Sequence, residues 1–364
     1  LPTHKIRKQE GEGGLMTAIL DTTVSMEEVA PSLYHVEVPL ADNPLRALNS
    51  YIIAGPDKTT IIDVGFNHPA CEAALDAALA RIGRDWESVE IVLTHSHPDH
   101  TGNLDRIWRR WMRIYAHMHS FQEVNSLMDM QSTVYNPLLR HLVDPHVIDE
   151  SQQNRDARAF SVSAELLPLR NQPDMFYLTD GDVYHNGDYR FEVITTPGHD
   201  DWHICLYEPN KKLLISGDHI LERITPTIMS WVTSYDALNE FMCSLDKVRD
   251  LEVDLILPGH GNLFAGVAER VDFLKAFHGK RLEELYALVA DGHASIIDIA
   301  RSATWKHQDW DSWTLDQKFY SLGETFAHLV YLVNEGRITM TINKNKRRFY
   351  VDDQWDVKPR GDVI

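Results

Sequence analysis

Histidine and aspartate side chains of the kinds that bind metal ions stand in four short motifs along this chain. The densest motif is Thr-His-Ser-His-Pro-Asp-His at residues 94–100, and Thr-Pro-Gly-His at 196–199, Ser-Gly-Asp-His at 216–219 and Pro-Gly-His at 258–260 follow it. Imidazole and carboxylate together suit zinc, iron or manganese. The motifs supply these candidate ligands: His95, His97, Asp99, His100, His199, Asp218 and His260.

The first motif gives the strongest indication of a metal site. It packs four ligand-type side chains between His95 and His100, and a packed core would accommodate them poorly because buried polar groups need partners. A single histidine after a strand is more often a cap or a core residue. The later motifs gain weight because His199, Asp218 and His260 each follow a strand-like run and a tight turn with Gly or Pro-Gly.

The elements that must position these side chains are short strands. An apolar run of strand length precedes each motif, at 91–93, 191–194, 213–215 and 255–257. Loops at the ends of several strands can converge on one point although they are distant in sequence. Further strand patterns occur at 33–38, 50–53 and 60–64, and helical spacing occurs at 69–82, 102–112 and 234–250. Two blocks of strands with helices between them predict an α/β fold of two face-to-face sheets with helices outside.

The motifs, in this order, resemble those of the metallo-β-lactamase superfamily of metal-dependent hydrolases, and more narrowly its glyoxalase II-like and lactonase-like members. The resemblance covers about residues 30–265. It implies the αβ/βα sandwich of that family and two divalent metal ions, zinc first, with iron or manganese as alternatives. The implied ligand sets are His95, His97 and His199 for one metal, Asp99, His100 and His260 for the other, and Asp218 as the bridge between them.

The chemistry implied by the resemblance is hydrolysis of an ester, thioester or lactone carbonyl by a hydroxide that bridges the two metals. Two metals about 3.5–4 Å apart lower the pKa of a shared water and polarise the carbonyl oxygen. Asp99 is expected to orient the hydroxide. His203 and His219 stand beside the motifs, and each is expected either to support a ligand or to donate a proton to the leaving group.

Other functions remain as alternatives. The principal one is a phosphodiesterase or endoribonuclease with the same two-metal site. The composition counts against nucleic acid, with 35 Lys and Arg against 54 Asp and Glu, because phosphate-backbone binding needs a basic surface. A β-lactam hydrolase is less expected without the pattern of a signal peptide. A di-iron oxygen or nitric oxide reductase would need a flavin domain. A protein with a binding role alone would be expected to have lost at least one of the seven candidate metal ligands.

The length of 364 residues suggests two domains. We expect an N-terminal extension at 1–29, a catalytic domain at 30–265 and a mostly helical C-terminal domain at 266–364. Within the catalytic domain, 119–180 is expected to be an insertion that forms a lid or plain surface packing. Three widely spaced cysteines and the lack of a long apolar run predict a cytoplasmic protein without a membrane span.

The C-terminal pattern of helices followed by a hairpin at 337–351 is similar to a winged helix. Its expected recognition helix has few basic residues, so a structural cap or a homodimer contact is favoured over nucleic-acid binding. The expected partner is an anionic small-molecule substrate. Arg223, Lys280 and Arg281 are the residues best suited to bind its carboxylate or phosphate, and a surface ion pair or a solvated helix start is their alternative role.

Overall fold

Two β-sheets form the centre of the computed structural model, which describes residues 24–41, 43–117, 175–230, 232–306, 309–343 and 346–351. The first sheet has seven strands in chain order. Its strands are β1 (Met26–Ala30), β2 (Leu33–Pro39), β3 (Ala47–Ala54), β4 (Thr59–Ile62), β5 (Val89–Val92), β6 (Ile114–His117) and β7 (Met175–Leu178). The pairs from β1 to β4 are antiparallel, and those from β4 to β7 are parallel.

The second sheet has five strands in the order β12-β11-β10-β9-β8, and β13 and β14 form a separate hairpin. The strands are β8 (Val183–Asn186), β9 (Tyr189–Thr195), β10 (Ile204–Glu208), β11 (Leu213–Gly217), β12 (Leu255–Pro258), β13 (Thr339–Asn343) and β14 (Lys346–Tyr350). The α-helices are α1 (Pro69–Arg81), α2 (Pro98–Thr101), α3 (Leu104–Ile107), α4 (Ala237–Arg249), α5 (Val267–Ala290), α6 (Ile296–Ser302) and α7 (Leu315–Asn334).

Alternation of side chains along each strand accounts for the layered packing. In β4, Ile61 is buried in the cluster that includes Leu75 of α1, whereas Ile62 is buried with Phe191 of the second sheet. Successive side chains of a strand point to opposite faces, and complete burial of an Ile or Phe contributes about 1.5–3 kcal/mol. One apolar layer therefore joins the two sheets and another joins the first sheet to its helices, as the α/β sandwich prediction requires.

The outer face of the second sheet packs against the C-terminal helices. Leu214 of β11, Phe241 of α4, Leu285 of α5 and Phe326 of α7 belong to one buried cluster. The predicted boundary at residue 266 coincides with the start of α5, but α5 to α7 share their apolar core with the catalytic sheet. The helical C-terminal region and its terminal hairpin are as predicted, while the likeness to a winged helix stays a prediction.

Three predicted boundaries differ from the structure. Met26–Ala30 is an edge strand paired with β2, so the extension predicted at 1–29 ends too late. The helix predicted at 102–112 is wrong in extent, since α3 ends at Ile107 and its capping residue, Trp108, is extended. Of the predicted lid at 119–180, residues 119–174 lie outside the described part of the chain, and Met175–Leu178 is the edge strand β7. None of the described helices is long and apolar enough to cross a bilayer.

Candidate metal centre

The four sequence motifs meet at one edge of the sandwich. Strands β9, β11 and β12 run in the same direction in the second sheet, so their carboxyl ends lie at one edge and deliver His199, Asp218 and His260 there. Strand β5 of the first sheet delivers the 94–100 loop to the same place, where Thr94 O accepts the N–H of Ile204 at 2.8 Å. The structure therefore brings the predicted metal ligands together.

One group of side chains consists of three histidines. The ligand atoms of His95, His97 and His199 lie within 4.8 Å of one another. His95 Nε2 is 3.0 Å from His97 Nδ1, so two imidazole nitrogens face each other. We call these residues the three-histidine group.

A second group contains Asp99, His100 and His260, whose ligand atoms also lie within 4.8 Å of one another. His100 Nε2 is 3.3 Å from His260 Nε2, and His260 Nε2 is 3.3 Å from Asp99 Oδ2. We call these residues the mixed group.

Asp218 lies between the two groups. Its Oδ2 is 3.6 Å from His199 Nε2 of the three-histidine group and 3.5 Å from His260 Nε2 of the mixed group. Its Oδ1 is 3.6 Å from His100 Nε2. A Cβ at Gly259 would collide with the Asp218 carboxylate and lie 2.8 Å from the His100 ring. Glycine at 259 is therefore what allows this close approach.

The donor set fits divalent cations. Among the described residues, His199 Nε2 and Asp218 Oδ1 are buried without a hydrogen-bond partner, although buried polar atoms normally have one. The closely facing nitrogens of His95 and His97 add a second pair of donors directed at a common point. Imidazole and carboxylate donors of this kind are ligands of zinc and related metals.

Asp63 sets the orientation of one histidine in each group, and sequence reasoning missed it. Its Oδ2 accepts the Nδ1–H of His100 at 2.7 Å and the hydroxyl of Thr94 at 2.7 Å. Because the Thr94 proton is donated to Asp63, Thr94 Oγ1 accepts the Nδ1–H of His95, 3.0 Å away. Both rings are thereby held with Nε2 turned to the site, which is how outer partners orient metal-binding histidines.

Backbone carbonyls orient two more rings. His199 Nδ1–H donates to Thr227 O and His260 Nδ1–H donates to Ala47 O, each at 2.9 Å. The Nε2 atom of each ring is thereby the one available to a cation. The tautomers of these histidines are fixed by the fold and do not depend on an exposed side chain.

His203 supports the site through the backbone of Asp218, and His219 is buried beside that residue. His203 Nε2 accepts the backbone N–H of Asp218 at 3.1 Å, and His203 Nδ1 bonds to the Thr196 hydroxyl at 2.7 Å. With both nitrogens used, His203 is placed to support Asp218 and not to donate a proton. His219 is fully buried against Phe241, and burial lowers its pKa to about 3.

The two groups differ in charge state. Burial lowers the pKa of His95 well below its usual value and that of His199 to about 4, with the neighbouring histidines adding to the effect. His95 and His199 are therefore neutral at pH 7, and their lone pairs are available. Burial also disfavours charge in the mixed group, but Asp63 and Asp218 raise the pKa of His100, and Asp218 and Asp99 raise that of His260.

The carboxylates of the site remain ionised. Burial opposes the ionisation of Asp99, but the positive charges of His100 and His260 and a hydrogen bond from His260 hold its pKa at about 2. Burial likewise opposes the ionisation of Asp218, and the histidines around it hold its pKa well below the usual value. Both side chains can therefore act as anionic ligands at neutral pH.

The predicted substrate-binding residues are placed differently from one another. Arg223 is 80% exposed and pairs with Glu222 at 3.3 Å. Glu222 also accepts a hydrogen bond from Asn262 at 2.8 Å, two residues beyond His260, so Arg223 is joined through Glu222 to a metal-site loop. Arg281 bonds to Glu284 and to Thr304 O and packs over the Trp305 ring at 4.5 Å. Its donors are committed to structural partners. Lys280 is exposed on α5.

A signal for Asp63 exists in the sequence. It ends the apolar run Ile61-Ile62, as the motif residues end theirs, and it adopts the left-handed conformation with φ of 57°. The sequence alone, however, does not predict that this strand lies beside β5 or that Asp63 contacts Thr94. That proximity comes from the pairing of β4 with β5.

Comparison with known proteins agrees with this geometry. The sequence pattern of the metallo-β-lactamase superfamily matches residues 44–260, which is more than half of the chain and contains every motif above. The chain belongs to the metallo-β-lactamase superfamily. It is a hydrolase of that superfamily.

Named relatives and a solved structure are similar over most of their length. The acyl-coenzyme A thioesterase MBLAC2 of Homo sapiens is 28% identical over 235 residues, covering 61% of this chain and 75% of that protein. The probable metallo-hydrolase YqjP of Bacillus subtilis (strain 168) is 24% identical over 299 residues, covering 79% and 88%. A crystal structure of a metallo-β-lactamase family protein from Thermus thermophilus has a TM-score of 0.73 and 26% identity, covering 89% and 100%.

Proposed function

We propose that this chain hydrolyses thioesters, or closely related esters and lactones, with two divalent cations held by the three-histidine group and the mixed group. The observation that supports two cations most directly is the position of Asp218, whose Oδ2 lies within 3.6 Å of a histidine nitrogen of each group. A carboxylate placed in this way suits a bridge between neighbouring metals.

The charge of the site supports the same proposal. The carboxylates of Asp63, Asp200 and Asp218 are buried, and that of Asp99 is 15% exposed. Across the described ranges, no lysine or arginine forms an ion pair with any of them. Their basic partners in the described chain are histidines, which are themselves candidate ligands. Two divalent cations bound by those histidines would supply the compensation that buried charges require.

Two divalent cations bound here would supply Lewis-acid activation of a carbonyl and a water-derived nucleophile at neutral pH. The chain's own residues would orient the reactants. Asp99, ionised and partly exposed, uses Oδ2 towards His260 and can orient an attacking water with its other oxygen. Arg223, exposed and joined through Glu222 to the loop after His260, would bind an anionic group carried by the substrate, such as the phosphates of a coenzyme A thioester.

Thioesters are the proposed class because a named thioesterase is among the relatives, whereas the strongly acidic composition disfavours a nucleic-acid phosphodiester. The test combines elemental analysis of the purified protein with a panel of four substrates: an acyl-coenzyme A, an S-acylglutathione, a lactone and bis-p-nitrophenyl phosphate. We expect about two equivalents of a divalent metal and turnover of the carbonyl substrates, fastest for a thioester. Turnover of the phosphodiester alone would contradict the proposal and favour the phosphodiesterase alternative.

A further inference from the structure

Asp200, the residue directly after His199, makes a connection that the metal-ligand motifs do not require. It is only 7% exposed. Its Oδ2 accepts the backbone N–H of Ser96 at 3.2 Å and also the Ser96 hydroxyl. Its Oδ1 accepts the N–H of Trp202 at 2.7 Å. Every carboxylate oxygen is therefore used, and none of these bonds is to a metal-ligand side chain.

The partners of Asp200 explain what this connection does to the site. Ser96 lies between His95 and His97 on the loop after β5 of the first sheet, whereas Asp200 follows β9 of the second sheet. One carboxylate thus fastens together two loops that belong to different sheets. These two loops carry the three-histidine group, so the bond fixes the distance between His199 and the other two histidines.

Asp200 also places a negative charge beside that group. Asp200 is the residue after His199, and its side chain is buried. The donors to Asp200 are a hydroxyl and backbone N–H groups, and no lysine or arginine of the described chain pairs with it. A carboxylate that is buried beside the three-histidine group and has no Lys or Arg partner among the described residues would attract a cation bound by these histidines, and the attraction is strong where water is excluded.

We propose that Asp200 is a positioning residue that sets the affinity of the three-histidine group for a divalent cation, through both its clamp on Ser96 and its charge. The inference rests on the proposed metal centre. Asp200 is not itself a ligand in this proposal, and its effect is expected at the three-histidine group and not at the mixed group. Removal of an outer partner of this kind lowers metal affinity by about 10–100-fold.

The test is a titration of the metal-free protein with Zn²⁺ against a competing chelator, which gives a dissociation constant for each cation. Asp200→Asn keeps the size of the side chain but removes the charge and one of its two acceptor oxygens, so that Ser96 and Trp202 can no longer both be served. Ser96→Ala removes only the hydroxyl donor. Asp201→Asn is the matched control, since burial and this neighbouring acid raise the pKa of Tyr235, whereas the Ser96 backbone N–H and hydroxyl both donate to Asp200.

We expect Asp200→Asn to weaken one Zn²⁺ site by about 10–100-fold and the other by less than about twofold. Ser96→Ala should produce a smaller loss at the same site, and Asp201→Asn should leave both constants unchanged. In Co²⁺-loaded protein, Asp200→Asn should shift the visible absorption of one ion only, a change that simple loss of stability would not produce.

Two results would overturn the inference. The first is that Asp200→Asn lowers the melting temperature of the metal-free protein while both Zn²⁺ dissociation constants stay as in the wild type. The other is equal weakening of both sites, which would show a general distortion. A wild-type protein that binds no divalent cation would instead refute the proposed function itself, so the two failures are distinguishable.

Discussion

Replacement of Asp63 by asparagine should weaken both proposed metal sites at once. Asp63 Oδ2 accepts one proton from His100 and one from Thr94, which in turn orients His95. Asp63 Oδ1 also accepts the backbone N–H of Thr94 at 2.8 Å, so the single amide oxygen of asparagine cannot serve all three donors. With that oxygen towards Thr94 N–H, the amide nitrogen stands in the Oδ2 position and accepts neither of the two protons. The rings of His100 and His95 would then lose the partners that keep Nε2 free to bind a cation.

The size of the effect follows from the bonds that are lost. A hydrogen bond to a charged group contributes about 1.5–3 kcal/mol, and a tenfold change in affinity corresponds to about 1.4 kcal/mol. The loss of one such bond at each group therefore predicts a decrease of about 10–100-fold in each Zn²⁺ affinity, in agreement with the usual effect of removing an outer partner. Asparagine tolerates positive φ, so the φ of 57° at residue 63 adds no strain.

The measurement is a competitive Zn²⁺ titration together with metal content after gel filtration and the rate of hydrolysis of the best thioester. Asp57→Asn is the control, since Asp57 is an exposed acid on the turn between β3 and β4. We expect both dissociation constants to rise and the control to match the wild type. If Asp63→Asn retained two metals at wild-type affinity, the assignment of Asp63 as the residue that orients these histidines would be refuted.

Four further substitutions test other parts of the molecule. His97→Ala should lose the metal of the three-histidine group and the hydrolytic activity while the circular dichroism spectrum stays native, and a fully active, metal-replete variant would contradict its assignment. Arg223→Ala should raise KM for an anionic thioester about fivefold, which corresponds to the loss of about 1 kcal/mol at an exposed site. Arg281→Ala should lower the free energy of unfolding and leave KM unchanged. The opposite pattern would contradict the roles assigned to these two residues. Burial and the neighbouring His328 lower the pKa of His278 to about 2. The unfolded chain binds a proton at His278 below the usual pKa of about 6.5 and the folded chain does not, so the free energy of unfolding decreases as pH falls below about 6.5. His278→Gln should reduce this decrease by up to about 1.4 kcal/mol per pH unit between about pH 6 and 5, and an unchanged pH dependence of the free energy of urea unfolding would show that His278 does not contribute.

The candidate ligands could be predicted from sequence because their spacing is local. His95, His97, Asp99 and His100 share one loop, and a cluster of this density has few explanations other than a metal. The strands could be predicted for a similar reason, since alternation such as that of 33–38 depends on neighbouring residues alone. The boundaries at 29 and 112 were wrong because whether Met26–Ala30 pairs with β2, or where a helix ends, depends on partners elsewhere in the chain.

The sequence by itself determined which side chains are available for metal chemistry and that each follows a strand. Only the tertiary structure decided how they are arranged: that Asp218 reaches both groups, that Asp63 orients histidines of both, and that Asp200 fastens one sheet's loop to the other's. It also decided that Arg281 is committed to Glu284 while Arg223 stays exposed. The physical reason is that hydrogen bonds and burial depend on distances across strand pairs and between sheets, and these distances are set by long-range packing that local sequence does not record.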